Sequence, residues 1–247
     1  MKLLSLFMGL LLYMLPAICQ TDTTYLYFNK AWEKCDEDTA FYYGKTYKQD
    51  SLWHRQDFWV KSNAMQMDAT YLDNDFAKAH GTLRWFRENG TLKSTAVYEQ
   101  GEHKTSDFFY ENGKKQGHII YIVNGSEQTG WDENGKEIPG YIVEREALFP
   151  GGLIGWRSYL ERNLNANVAA RAGAKVGIYT VTVQFIVDPK GNISNVHATQ
   201  VPAEYKPCGR EAIRIIKNGP NWEPAYQENK PVTYQALQKI SWQVSEE

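Results

Sequence analysis

The chain has 247 residues and a formal net charge of −2, which argues against a broad basic surface for nucleic acid or for an anionic membrane. The length allows two domains, each with a core of its own. The 16 Tyr and 8 Trp residues favour β-structure with turns over a helical bundle.

The N-terminus has the pattern of an export signal. Lys2 precedes a largely apolar run over residues 3–18, and Ala17 and Cys19 are small residues at the −3 and −1 positions of a cleavage site before Gln20. We therefore expect an exported protein of the periplasm or cell envelope.

Two other interpretations of this segment remain open. An uncleaved inner-membrane anchor is one, although sixteen residues fall short of the roughly 20 that span a bilayer. Lipidation at Cys19 is the other, although the bulky Ile18 is unfavourable just before a lipidated cysteine.

A degenerate repeat occupies about residues 72–138. The segments 81–90, 108–113 and 130–135 each contain an aromatic residue followed by Glu-Asn-Gly, at intervals of about 22 residues. Because Asn-Gly favours turns with positive φ, each unit is predicted to be a tight β-hairpin in an antiparallel meander.

This pattern resembles the MORN-variant repeat of bacterial envelope proteins, and the resemblance implies an interaction or spacing module. Its aromatic residues have two interpretations, a meander core or an aromatic binding surface. They are Trp85, Phe86, Phe109, Tyr110 and Trp131.

The segment Phe149-Pro-Gly-Gly152 ends the stretch over residues 141–152 that follows the repeat. It lacks the Lys and the Gly spacing of a phosphate-binding loop, so we interpret it as the turn before a helix. That helix is predicted over residues 153–165, with Leu153, Trp156 and Leu160 on one side.

The last part of the chain has the order strand, strand, helix, strand. Apolar residues alternate at period two over residues 176–187, and a Pro- and Gly-containing turn leads to a second strand over 192–199. Helical spacing then extends over 204–218, before Gly219-Pro220. The final strand is predicted over 232–244.

These elements and their motifs together resemble the C-terminal domain of TonB-type energy transducers, in the version found in envelope proteins of the Bacteroidetes type. One position departs from the common pattern, because Asn165-Ala-Asn-Val168 stands where many members have Tyr-Pro. The motifs are Phe149-Pro-Gly-Gly152, Tyr159-Leu160, Asn163-Leu164, the alternating residues 181–187, Gly191-x-Ile193, Glu211-Ala212-x-x-Ile215-Ile216, Gly219-Pro-x-Trp222-x-Pro224-Ala225 and Pro231-Val232.

The resulting fold class is α+β, with a TonB-like ββαβ domain preceded by an antiparallel, MORN-like β-hairpin meander. The predicted boundaries are a signal peptide over 1–19, a β-rich domain over 20–140, a linker over 141–152 and the TonB-like domain over 153–247.

The resemblance implies recognition through backbone at a sheet edge, where an extended segment of an outer-membrane TonB-dependent transporter adds a strand. By the same route two copies could pair as a homodimer. The strand that carries this edge has its apolar residues at Val232, Tyr234, Ile240, Trp242 and Val244.

The functional expectation is a TonB-like binding partner or energy transducer for transport across the outer membrane. Neither a Pro-rich periplasm-spanning linker nor a His in residues 3–18 is present, and both features are expected of a full transducer. The alternative is a cell-envelope scaffold that binds peptidoglycan or other proteins without a role in transport.

No catalytic, metal or cofactor site is expected. The five His residues have no metal-ligand spacing, and no nucleophile motif occurs. Cys35 and Cys208 could pair in an oxidising compartment, although the helical position of Cys208 favours a buried free thiol.

We predict that the mature protein begins at Gln20. The intact mass of protein from the soluble periplasmic fraction of its native host should start at this residue, because cleavage follows the small residue Cys19. A mass that retains residues 1–19, recovered from the inner membrane, would contradict cleavage and favour an anchored transducer.

Overall fold

The computed structural model describes residues 22–123, 125–201 and 205–245, so the predicted signal peptide lies outside the described residues. The structure is mixed α+β, as predicted. Nine strands follow one another in chain order in a single meander sheet. They are β1 (Thr24–Phe28), β2 (Tyr42–Gln49), β3 (Leu52–Trp59), β4 (Met65–Tyr71), β5 (Gly81–Phe86), β6 (Leu92–Glu99), β7 (Glu102–Phe109), β8 (Lys115–Ile122) and β9 (Gly125–Gly130).

Two three-stranded sheets and three helices follow the meander. One sheet has the order β10-β13-β14 and the other the order β12-β11-β15. The elements are β10 (Glu144–Arg145), α1 (Gly152–Asn163), α2 (Val168–Arg171), β11 (Gly177–Val187), β12 (Ile193–Gln200), α3 (Lys206–Lys217), β13 (Ala225–Gln227), β14 (Lys230–Val232) and β15 (Tyr234–Val244).

The chain divides into two compact units between His103 and Lys104, inside β7. This division lies upstream of the predicted linker over residues 141–152. The second unit therefore contains the β8–β9 hairpin as well as the whole ββαβ domain.

The three Glu-Asn-Gly turns share one backbone geometry, which confirms the predicted hairpin turns. Gly90, Gly113 and Gly135 have φ of +82°, +81° and +89°. In each turn the residue before Glu donates its N–H to the carbonyl of the residue after Gly, with N···O distances of 2.8 to 2.9 Å. Only glycine adopts this left-handed conformation without strain, which explains why Gly recurs at the same position of each turn.

The first unit has a small core on one face of its strands. Ala69 and Leu83 are buried there, and Trp85 packs against them while half-buried. Asp57 is buried as well, and its Oδ1 accepts a hydrogen bond from Nε of Arg55 at 2.9 Å.

The other four aromatic residues assigned to the repeat are also half-buried, which fits both interpretations of the sequence.

In the second unit, the interval predicted as a linker packs closely against the β8–β9 hairpin. Tyr141 and Val143 are buried with Ile119 of β8. Gly130 is in contact with the Tyr141 ring, and a Cβ added to Gly130 would lie 2.1 Å from that ring. Residues 141–143 thus form part of a core.

Hydrogen bonds hold the same interval from both sides. Oε1 of Gln128 accepts from N of Val143 at 2.8 Å, and Nε2 of Gln128 donates to O of Glu144 at 2.8 Å. From the other side, N of Glu228 donates to O of Val143 at 2.7 Å. The side chain of Gln128 therefore pairs with this backbone as a neighbouring strand would.

Within the described part of the chain, no helix has both the length and the apolar character that a membrane span requires.

We expect Gly130→Ala to lower the free energy of unfolding by about 1 to 3 kcal/mol, because the added methyl group would overlap the Tyr141 ring. Urea denaturation measures this change. Tyr141→Gly removes both the ring and the Tyr141 Cβ, which would lie 2.8 Å from the added Cβ, so adding Gly130→Ala to that variant should cost much less than it does alone. Equal costs in the two backgrounds would contradict this account of Gly130.

Candidate functional site

The ββαβ domain is organised by the buried face of β11. Val181, Val183, Phe185 and Val187 alternate along this strand and are fully buried, as their period-two pattern predicts. Full burial of each such side chain contributes about 1.5 to 3 kcal/mol. This face therefore fixes which side of the sheet is covered.

Helix α3 covers this face with its own apolar side. Cys208, Ala212, Ile215 and Ile216 are buried in the same core as the β11 residues. Burial raises the pKa of the Cys208 thiol, and this thiol is free. Cys208 therefore behaves as a small apolar core residue, as the helical spacing indicated.

β11 has a neighbour on each side, and the two pairings differ. β15 pairs antiparallel with β11 over its full length, from Tyr234 opposite Val187 to Val244 opposite Gly177, without a register shift. The pairing of β12 with β11 has two register shifts, and Asn195 has φ of +53°. Such bulges twist an edge away from further pairing.

β15 is therefore a long and regular edge strand, as predicted. Its only neighbour in the described sheets is β11. In an antiparallel pair every second residue directs its N–H and C=O away from that neighbour, so about five residues of β15 present both groups outward. The strand spans roughly 33 Å.

The other edges of the described sheets are short, or a returning segment bonds to one end of them. Residues 33–35 return along β1, where N of Cys35 donates to O of Tyr27 at 3.1 Å. The chain after β9 also returns along it, and N of Ile138 donates to O of Gly130 at 2.8 Å. β10 has two residues, and β14 has three, one of them Pro231. Proline and short length both discourage strand addition.

The five predicted edge residues do not all lie in one strand. The predicted strand over 232–244 is interrupted at Thr233, because Val232 belongs to β14 and pairs with Ala225. The other four lie in β15. Ile240 and Trp242 are buried, whereas Tyr234 and Val244 are half-buried.

The predicted side chains therefore face the core, and recognition at this edge would use the backbone. The prediction from apolar alternation named the residues whose side chains face the core. It did not name the alternate residues, whose side chains are exposed on the other face of the sheet. The exposed residues of β15 are Gln235, Leu237, Lys239, Ser241 and Gln243.

The loop between α1 and α2 holds β15 from its inner side. O of Asn165 accepts from Nε1 of Trp242 at 3.0 Å. N of Asn165 donates to Oε1 of Glu211 at 2.8 Å. Glu211 also accepts from Nε and Nη2 of Arg214, and Nη2 donates to O of Asn163 at 2.7 Å.

This network stabilises the ionised form of Glu211. Hydrogen bonds from Arg214 are the main cause of a lowered pKa for the Glu211 carboxyl, and the N–H of Asn165 acts in the same direction. The Glu211 side chain is only 10% exposed. The loop thus holds Trp242, and with it β15, through a charge on α3.

No group of three or more His, Cys, Asp or Glu side chains suited to a metal ion occurs in residues 22–123, 125–201 and 205–245.

Residues 169–244 match the family model of the Gram-negative bacterial TonB protein C-terminal. The matched range extends from α2 to the last residue of β15, and it supports the TonB C-terminal family for this part of the chain. It covers well under half of the 247 residues. Neither a curated protein nor a solved structure matches the chain.

We expect Glu211→Gln to lower the free energy of unfolding by about 1 to 2 kcal/mol at pH 7, because it removes a charged partner of Arg214. Because the pKa of Glu211 is lower in the folded state than in the unfolded state, its charge stabilises the fold at pH values above the unfolded pKa of about 4.3. This stabilisation is lost as the pH falls through the folded-state pKa. The difference from wild type should therefore shrink between about pH 5 and pH 2 in urea denaturation.

Glu161→Gln is the matched control, since Glu161 is an exposed carboxylate on α1. It should change stability by less than about 0.5 kcal/mol. A Glu211→Gln effect that does not vary with pH would contradict the assigned role of the charge.

Proposed function

We propose that this protein is a TonB-like periplasmic binding partner or energy transducer in transport across the outer membrane. The family match over residues 169–244 supports this role at the level of the family. The single observation that carries the proposal is the open, unshifted edge of β15.

The proposed mechanism is strand addition. An extended segment of an outer-membrane TonB-dependent transporter pairs with the outward N–H and C=O groups of β15 and becomes the fourth strand of the sheet. Each new backbone hydrogen bond contributes about 0.5 to 1.5 kcal/mol net. Several bonds in register are needed, and a strand of 11 residues provides the length for them.

The role we propose is recognition without catalysis and without a metal or cofactor. Backbone pairing tolerates many partner sequences, so the same edge also suits an extended segment of another envelope protein. Pairing of β15 with a second copy would give a homodimer and would compete with the transporter segment for the same edge.

One observation favours the alternative of an envelope scaffold. At the N-terminal end of the first unit, Tyr25, Tyr27 and Tyr43 line an open groove with Glu37 and Asn63. Tyr25 is 51% exposed, whereas Tyr27 and Tyr43 are half-buried. An exposed aromatic face beside carboxylate and amide groups is suited to stacking on a sugar ring of peptidoglycan.

We expect a peptide from the N-terminal periplasmic segment of a transporter of the same organism to protect every second backbone amide of residues 234–244 from hydrogen exchange. The expected slowing is about tenfold or more, because outward N–H groups gain carbonyl partners. The measurement uses the full mature chain, with and without peptide.

β12 is the internal control, because it is the bulged edge of the same sheet and its amides should keep their exchange rates. Unchanged exchange throughout β15 would contradict the transporter proposal. Retention of the same protein on purified peptidoglycan would then favour the scaffold.

A further inference from the structure

The sheet that contains the proposed docking edge carries a single charged residue. β11 and β12 contain no Asp, Glu, Lys or Arg, and Lys239 is the one such residue in β15. Lys239 is exposed, and its register partner on β11 is the uncharged Thr182. Among the described residues, no ion pair includes Lys239.

Leu237 lies two residues before Lys239 on the same exposed face. Its side chain is 62% exposed, and its register partner on β11 is the polar Gln184. The remaining exposed residues of β15 are Gln and Ser, which are uncharged and polar. The outer face of this edge therefore displays one apolar and one cationic side chain, separated by one residue.

A strand added to β15 would place its own side chains beside these two. Directly opposite residues in paired strands have Cβ atoms about 4.5 to 5.5 Å apart, and opposite charges or apolar pairs at such positions are favourable. Like charges there are unfavourable. The side chain next to Lys239 and the one next to Leu237 are two residues apart in the added strand, on the same face.

We infer that the segment recognised by β15 carries an acidic residue beside Lys239 and an apolar residue beside Leu237, with one residue between them. This inference rests on the proposed function and specifies the partner. A parallel added strand has the order apolar-x-acidic, and an antiparallel one has the order acidic-x-apolar.

A second role for Lys239 is compatible with its position but has a different consequence. A lysine on an edge strand discourages uncontrolled strand pairing. If protection of the edge were the role of Lys239, the affinity for a transporter segment would not depend on the sign of that segment's charge. The dependence of affinity on the partner's charge therefore separates recognition from protection of the edge.

The test is a charge exchange between protein and peptide. The probes are extended peptides with Val and Glu at the two positions in both orders, together with the same peptides in which Lys replaces Glu. Affinity for the full mature chain is measured by calorimetry, and binding at β15 by chemical shifts of residues 234–244. At about 0.1 M salt the wild-type protein should prefer the Glu peptide of one order by about three- to tenfold.

Lys239→Glu should reverse this preference, so that the Lys peptide of the same order binds more tightly. Gln243→Glu is the matched control, because it places the same charge on the same face four residues away, roughly 13 Å along the strand and beyond one Debye length at about 0.1 M salt. It should leave the preference for the Glu peptide in place. Leu237→Ser should weaken binding of both peptides by about threefold.

The outcomes separate the two proposals. Equal affinity for Glu and Lys peptides, together with shifts at β15, would overturn the inference and leave strand addition intact. A preference that Lys239→Glu does not alter would overturn it as well. Absence of shifts at β15 with every peptide would overturn strand addition itself, and the inference with it.

Discussion

The unbroken pairing of β15 with β11 is the constraint on which the C-terminal domain depends. Eleven consecutive residue pairs leave no freedom of register, since a slip by one residue would move Ile240 and Trp242 from the core to solvent. The same pairing determines which backbone N–H and C=O groups of β15 point away from β11. The core uses one side of the strand, and the proposed recognition would use the other.

Edge strands are a hazard in most proteins, and each of the other edges in the described sheets has a feature that limits it. Bulges distort β12, returning segments cover parts of β1 and β9, and β14 is short and contains Pro231. A long regular edge that stays open in such a chain is best explained by use. The hydrogen bond from Trp242 to Asn165 holds β15 from its inner side.

The β8–β9 hairpin is joined to the C-terminal domain by a packed segment rather than by a flexible linker. Tyr141 and Val143 fill a small core against the hairpin, and Gln128 binds the backbone of residues 143 and 144. A flexible tether has neither feature. Residues 141–144 are therefore held by packed side chains and by hydrogen bonds to Gln128 and Glu228.

The sequence by itself determined the local elements, because periodicity and turn chemistry act over a few residues. The alternation in β11, the helical face of α3 and the three Asn-Gly turns were all predictable in this way, and so was a final edge strand. Only the tertiary structure decided that Val232 belongs to a separate strand, that β12 is bulged and that residues 141–144 are held by hydrogen bonds from both sides. These features depend on partners far apart in the chain, such as Asn229 and Ile142, whose meeting no local pattern encodes.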